Sequence, residues 1–114
     1  MGGLMTDCLQ SLADFQFNES EEKELAAYAK AIGHPARVRL LRILAGRVCL
    51  GSDLVGQLGL AQSTVSEHLR ILREAGLVHA EVKHPKTCFS LRPEAIQRVQ
   101  QLLADIDGVF TRSS

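Results

Sequence analysis

Apolar side chains recur along this chain first at helical spacing and then, over one short stretch, in strict alternation. In ESEEKELAAYAKAIGHP the residues Leu25, Tyr28, Ala29 and Ile32 fall at i, i+3, i+4 and i+7 behind an acidic start, which predicts a helix ended by Gly33. Pro35 pre-sets the first turn of a second helix, PARVRLLRILAG. Its apolar stripe is Val38, Leu41 and Leu44, with Arg37, Arg39 and Arg42 on the other side and Gly46 as its stop. After VCL, Ser52 or Asp53 can cap a short helix bearing Leu54, Val55 and Leu58, and Gly59 breaks it. AQSTVSEHLRILREAG follows; Val65, Leu69 and Leu72 point one way, Gln62, Ser63, Ser66 and Arg70 another, until Gly76. The pattern then alternates, so Leu77 to Val82 and Thr87 to Leu91 read as a hairpin around Lys83, His84, Pro85 and Lys86. A last helix, PEAIQRVQQLLADIDGVF, opens at Pro93 and Glu94 and puts Ile96, Val99, Leu103, Ile106 and Phe110 on one face.

A chain of 114 residues, 46% of them hydrophobic, suits one domain: residues 18–110 folded, residues 1–17 a flexible N-terminal segment. No apolar run approaches the roughly 18 residues of a membrane span, and MGGLMTDCLQSLADF lacks a cationic leader, so the expectation is a cytoplasmic protein without a membrane partner. Three cysteines, an odd number in that setting, point to thiols that are buried, reactive or metal-binding rather than to a disulfide framework. Charge is zero overall but unevenly placed. Residues 34–92 hold nine Lys and Arg against Asp53, Glu67, Glu74 and Glu81, with all four histidines, whereas residues 1–33 hold Lys23 and Lys30 against six acidic residues. A basic middle suits a nucleic-acid-facing module, and equally a solvated face.

Two short helices joined by a tight turn form a helix-turn-helix, whose second helix enters the DNA major groove and reads base edges from its N-terminal part. Here that part offers Gln62, Ser63, Thr64 and Ser66, with Arg70 one turn on. The hairpin, with Lys83, His84 and Lys86 around its tip, resembles a wing that would follow the DNA backbone or minor groove. Either feature alone is also what a solvated surface looks like; their succession inside a basic segment favours double-stranded DNA. The expected fold class is mostly α with a small β-hairpin, a winged helix-turn-helix. Catalysis finds no support: His34, His68, His79 and His84 are scattered, no Ser or Cys sits in a nucleophile motif, and no glycine-rich phosphate loop follows a strand.

GHPARVRLLRIL, then LGLAQSTVSEHLRILREAGLV, then HAEVKHPKTCFSL resemble the ArsR/SmtB family of bacterial winged-helix, metal-responsive repressors over roughly residues 21–104. The resemblance implies a homodimer joined through its first and last helices, bound to a pseudo-palindromic operator that it leaves when an inducer binds. The apolar faces of residues 25–32 and 96–110 agree, since they exceed what one small core covers; a two-fold dimer would set its reading helices roughly 34 Å apart. One departure is Ala61, where many members have Ser. The lost cap costs about 1 kcal/mol at most, and Ser63 or Thr64 can cap a later start.

The family's sensing sites imply different signals, and the residues choose among them. A zinc-type site on the last helix needs histidine, and residues 93–110 contain none. The arsenic-type pattern is Cys-x-Cys leading into Asp-Leu; here Cys49 stands first, Gly51 takes the place of the second thiol, and Asp53 and Leu54 follow. The winged-helix resemblance places VCL as a short strand against TCFSL, which would make Cys49 and Cys88 cross-strand neighbours, with β-carbons about 4.5–5.5 Å apart if directly opposite. Cys8 matches the thiol that some members carry ahead of the first helix. Soft thiolates without histidine suit trivalent arsenic or antimony as inducer, in a trigonal site of Cys8, Cys49 and Cys88. The alternatives are small buried cysteines and a thiol redox or reactive-sulfur response through Cys49 and Cys88.

Overall fold

In the computed structural model, which describes residues 12, 13 and 15–108, Asn18 opens the first long helix. Its side chain accepts from the Glu21 N–H at 3.0 Å, and Glu19, Glu21 and Glu22 place negative charge at the positive end of α1 (Glu19–Ile32). Ala31 is the residue α1 buries, with Tyr28 and Ile32 packed beside it; Ala29, expected on this face, is exposed. α2 (Pro35–Leu44) is capped by the His34 imidazole, which accepts from the Ala36 N–H at 3.0 Å. Its buried side is Leu40, Leu41 and Leu44. Leu41 and Leu44 are the expected stripe; Val38, expected with them, is exposed, and Arg37 turns inward beside it.

β1 (Val48–Leu50) runs without a linker into α3 (Gly51–Leu58). Leu50, in extended conformation, is therefore the N-cap, and neither Ser52 nor Asp53 caps the helix as the sequence suggests. Gly59 ends α3 at φ +66°, a left-handed cap that glycine adopts without strain, and turns the chain into α4 (Gln62–Glu74). α4 starts at Gln62 with Ala61 as an uncapped N-cap, so the later start capped by Ser63 or Thr64 is not what forms. Those hydroxyls stand in the first turn, and both residues are exposed. β2 (Val78–Lys83) and β3 (Lys86–Leu91) pair antiparallel as a hairpin, and β1 adds to the other edge of β3, giving a three-stranded sheet in the order β1-β3-β2. α5 (Pro93–Asp107) follows directly.

The core lies where α2, α3, α4 and the start of the sheet converge: Leu40, Leu44, Leu54, Val65, Leu72, Leu77 and Val78 are fully buried. α5 adds Ala95 and Leu102, not the full face expected from Ile96 to Ile106. Ile96 and Val99 are half-buried, Leu103 and Ile106 remain 52% and 73% exposed, and Phe110 lies outside the described residues. Arg98 fastens α5 to α1 through Glu24, donating two hydrogen bonds of 2.8 Å. The fold is the expected one, mostly helical with a small antiparallel sheet. No helix among the described residues is long and apolar enough to cross a membrane.

Candidate nucleic-acid interface and thiol positions

Amphipathic α4 divides its residues cleanly. Val65, His68, Leu69 and Leu72 are buried, while Gln62, Ser63, Thr64 and Ser66 are exposed along the first turn and a half. Burial of the apolar side fixes which side chains the helix can present, and these are short donors and acceptors of the kind that meet base edges. At the hairpin tip Lys83, His84 and Lys86 are all exposed. A groove of about 450 Å³ joins the two features: it is lined by Gln62 and Ser66 of α4, by Lys86, Thr87 and Phe89 of β3, and by Gly51 and Ser52. Thr87 also lines this groove, a placement that sequence reasoning missed; in an alternating strand nothing marks which polar residue lies beside a helix.

Arg70 is the exception among the expected contacts. Its guanidinium lies between Glu67 and Glu74 on its own helix, reaching Glu74 at 2.8 Å and Glu67 through two hydrogen bonds. These hydrogen bonds hold Arg70 protonated far above its usual value, and the same contact pulls the Glu67 carboxyl down. To meet a phosphate, Arg70 must leave two carboxylates.

The thiols do not gather as the sequence suggests. Cys49 is paired across the sheet with Phe89, and Cys88 with Leu50 on one side and Glu81 on the other. Directly opposed residues share a face and successive residues alternate, so Cys49 and Cys88 point to opposite faces of the sheet. The expected cross-strand pair is offset by one position. Cys49 packs against the core beside Phe89, and both thiols are half-buried and free. The place of a second family thiol is tight as well: a β-carbon on Gly51 would lie 3.3 Å from the Phe89 ring edge, which would have to give way slightly. Cys8 lies outside the described residues, and among those described no three His, Cys, Asp or Glu side chains gather to hold a metal ion.

The remaining histidines are engaged within the described chain. His34 caps α2, His68 is buried in α4, and His79 Nδ1 accepts from Arg92 at 3.2 Å. Arg37, placed by the sequence on the outer side of α2, points inward to His68.

Comparison with known proteins accords with this geometry. Residues 34–80 match the family model described as bacterial regulatory protein, arsR family. The chain is 36% identical over 80 residues to the HTH-type transcriptional regulator CmtR of Mycobacterium tuberculosis, covering 70% of this chain and 68% of that one. Among solved structures, the transcriptional repressor BigR from Xylella fastidiosa superposes with TM-score 0.62 at 30% identity, covering 75% of this chain and 89% of that one. A possible transcriptional regulator for arsenical resistance superposes with TM-score 0.63 at 26% identity, covering 68% and 80%.

Proposed function

Because the chain belongs to the ArsR family of bacterial DNA-binding transcriptional regulators, we propose that it represses transcription as a homodimer. Each protomer would read operator DNA with Gln62, Ser63, Thr64 and Ser66, and clamp the backbone with Lys83, His84 and Lys86. The observation that carries this reading is the groove lined by Gln62 and Ser66 of α4 together with Lys86 of the hairpin, so that base-edge and phosphate contacts would come from one surface. Arg70 joins the contacts only by giving up Glu67 and Glu74. The dimer is supported by Leu103 and Ile106 of α5 and by Phe15 and Phe17 ahead of α1, large apolar side chains that are each more than half exposed.

The inducer proposed is trivalent arsenic or antimony taken by Cys49, with Cys8 and Cys88 as the further sulfurs. What supports it is a half-buried free thiol on the strand that leads straight into the helix-turn-helix, and the arsenical-resistance regulator among the structural neighbours. No preformed site exists among the described residues. Bringing Cys49 and Cys88 onto one ion requires β1 to leave its register with β3, and β1 passes into α3 through Leu50. A disulfide between the same two cysteines needs a similar movement, because their β-carbons point apart. The test is operator release with arsenite, zinc and peroxide on wild type and on Cys8→Ser, Cys49→Ser and Cys88→Ser. The proposal expects release by arsenite, lost first with Cys49. Release by peroxide alone selects the redox alternative, and an unaltered arsenite response in all three variants overturns the metalloid reading.

A further inference from the structure

Three helices meet at Arg37. Its Nε donates to the Ala31 carbonyl at the end of α1 at 2.6 Å, and its Nη1 stands 3.2 Å from Nδ1 of His68 on α4. His68 is the one buried polar residue among the described residues, at 8% exposure. The His34 ring stacks at a tilt, 4.5 Å from the His68 ring centre, and its own Nδ1 is occupied as the cap of α2. A guanidinium offers donors alone, so the bond to His68 exists only while His68 Nδ1 keeps its lone pair, which means a neutral imidazole with its proton on Nε2. A proton from solvent arriving on Nδ1 sets donor against donor and cation beside cation.

On the reading of α4 as the DNA-reading helix, we infer that Arg37 is a positioning residue for that helix, acting through neutral His68, and that acid weakens operator binding by breaking this contact. His68 lies one helical turn after Thr64 and two residues after Ser66, so whatever displaces it displaces the reading side chains. The charged and titratable groups that face it are His34 and Arg37 from the α2 side and Glu67 on its own helix; α1 contributes the uncharged Ala31 carbonyl. Glu67, engaged by Arg70, opposes the cationic side with the smallest of these effects. Burial first, then His34 and Arg37, push the His68 imidazole below its usual value of 6.5. The unfolded chain therefore takes up this proton before the folded one does. Stability is complete above about pH 6.5 and declines as pH falls through the depressed folded value.

The sign separates this contact from ordinary phosphate attraction. Positive charge added at the exposed hairpin tip around Lys83 and Lys86 would strengthen binding to phosphate. A loss of affinity in acid is the opposite effect.

The test uses a duplex of roughly 30 base pairs selected by the protein from a random library, titrated at constant ionic strength between about pH 7.5 and about pH 5.5. The wild type is expected to weaken at least about fivefold across that range. His68→Asn keeps an acceptor for Arg37 that does not titrate, so its own ratio is expected to stay within about twofold. Equal ratios in the two proteins, or a wild type that tightens in acid, overturn the inference. Failure to select any duplex instead overturns the reading of α4 on which it rests. A measurement without DNA guards against a variant that folds poorly: long-range proton–nitrogen NMR of the free wild type is expected to show His68 as the Nε2–H tautomer. In Arg37→Gln the midpoint of its titration is expected to rise. A wild-type Nδ1–H tautomer, or an unmoved midpoint, removes Arg37 as the partner.

Discussion

Helices α4 and α5 are both amphipathic, and their apolar faces have different fates. Val65, Leu69 and Leu72 of α4 are all buried within the chain, against α2, α3 and the sheet. α5 buries Ala95 and Leu102 and leaves Leu103 and Ile106 exposed toward its C-terminal end. An apolar face thus says that something covers it, not what. For α4 the cover is the core, which turns its polar face to the outside; for α5 the described residues leave Leu103 and Ile106 uncovered, which is what the proposed dimer would bury.

The difference is broken most directly by truncating one side chain from each helix. Leu72→Ala removes a fully buried side chain and is expected to cost about 2–5 kcal/mol in urea unfolding, enough to leave a domain of this size marginal. Ile106→Ala, at 73% exposure, is expected to change the unfolding free energy of the isolated protomer by less than about 0.5 kcal/mol. Equal effects would mean that α5 is already covered. Next in size is the pair Leu103→Glu and Ile106→Glu. Sedimentation at micromolar concentration is expected to show monomer in place of dimer, and operator affinity to fall at least about tenfold because two half-sites are no longer engaged together. A dimer that survives both charges would place the interface elsewhere.

The elements were largely legible in the sequence, because each was written in one consistent period and closed by Gly or Pro, as at Gly33, Pro35, Gly59 and Gly76. Details that depend on a second element were not. Arg37 reads as a surface arginine until α1 and α4 supply a carbonyl and an imidazole for it. Cys49 and Cys88 were correctly assigned to neighbouring strands, yet strand register is set by where a chain enters the sheet, and a shift of one residue reverses the face of every side chain. The exposed residues of α4 needed no such information, because the burial of Val65 and Leu69 decides them from within the same helix.

Smaller effects sharpen the polar side of α4. Lys86→Ala is expected to lower the slope of log affinity against log salt by about one and to weaken all duplexes alike, since Lys86 stands across the groove from α4 and would meet phosphate. A change in sequence preference would instead make Lys86 a base-reading residue.

The smallest effect concerns what holds α5 in place. α4 is held by apolar burial, whereas α5 is tied to α1 partly by charge, through the two 2.8 Å hydrogen bonds from Arg98 to Glu24. Each of those side chains is about one-third exposed, so solvent screens the pair and its contribution to stability is small. Its signature is pH dependence. The hydrogen bonds from Arg98 hold the Glu24 carboxyl below its usual value of 4.5, against a smaller opposing effect of burial. The folded chain therefore binds this proton less readily than the unfolded one, and the stabilisation is present above about pH 4.5 and lost as pH falls through the folded value. Glu24→Gln is expected to melt slightly below the wild type at neutral pH, with the difference closing in acid, whereas the difference made by Leu72→Ala persists across the same range. A Glu24→Gln difference that does not close would show that the carboxylate contributes packing or a neutral hydrogen bond, and that charge does not distinguish how α5 is held from how α4 is.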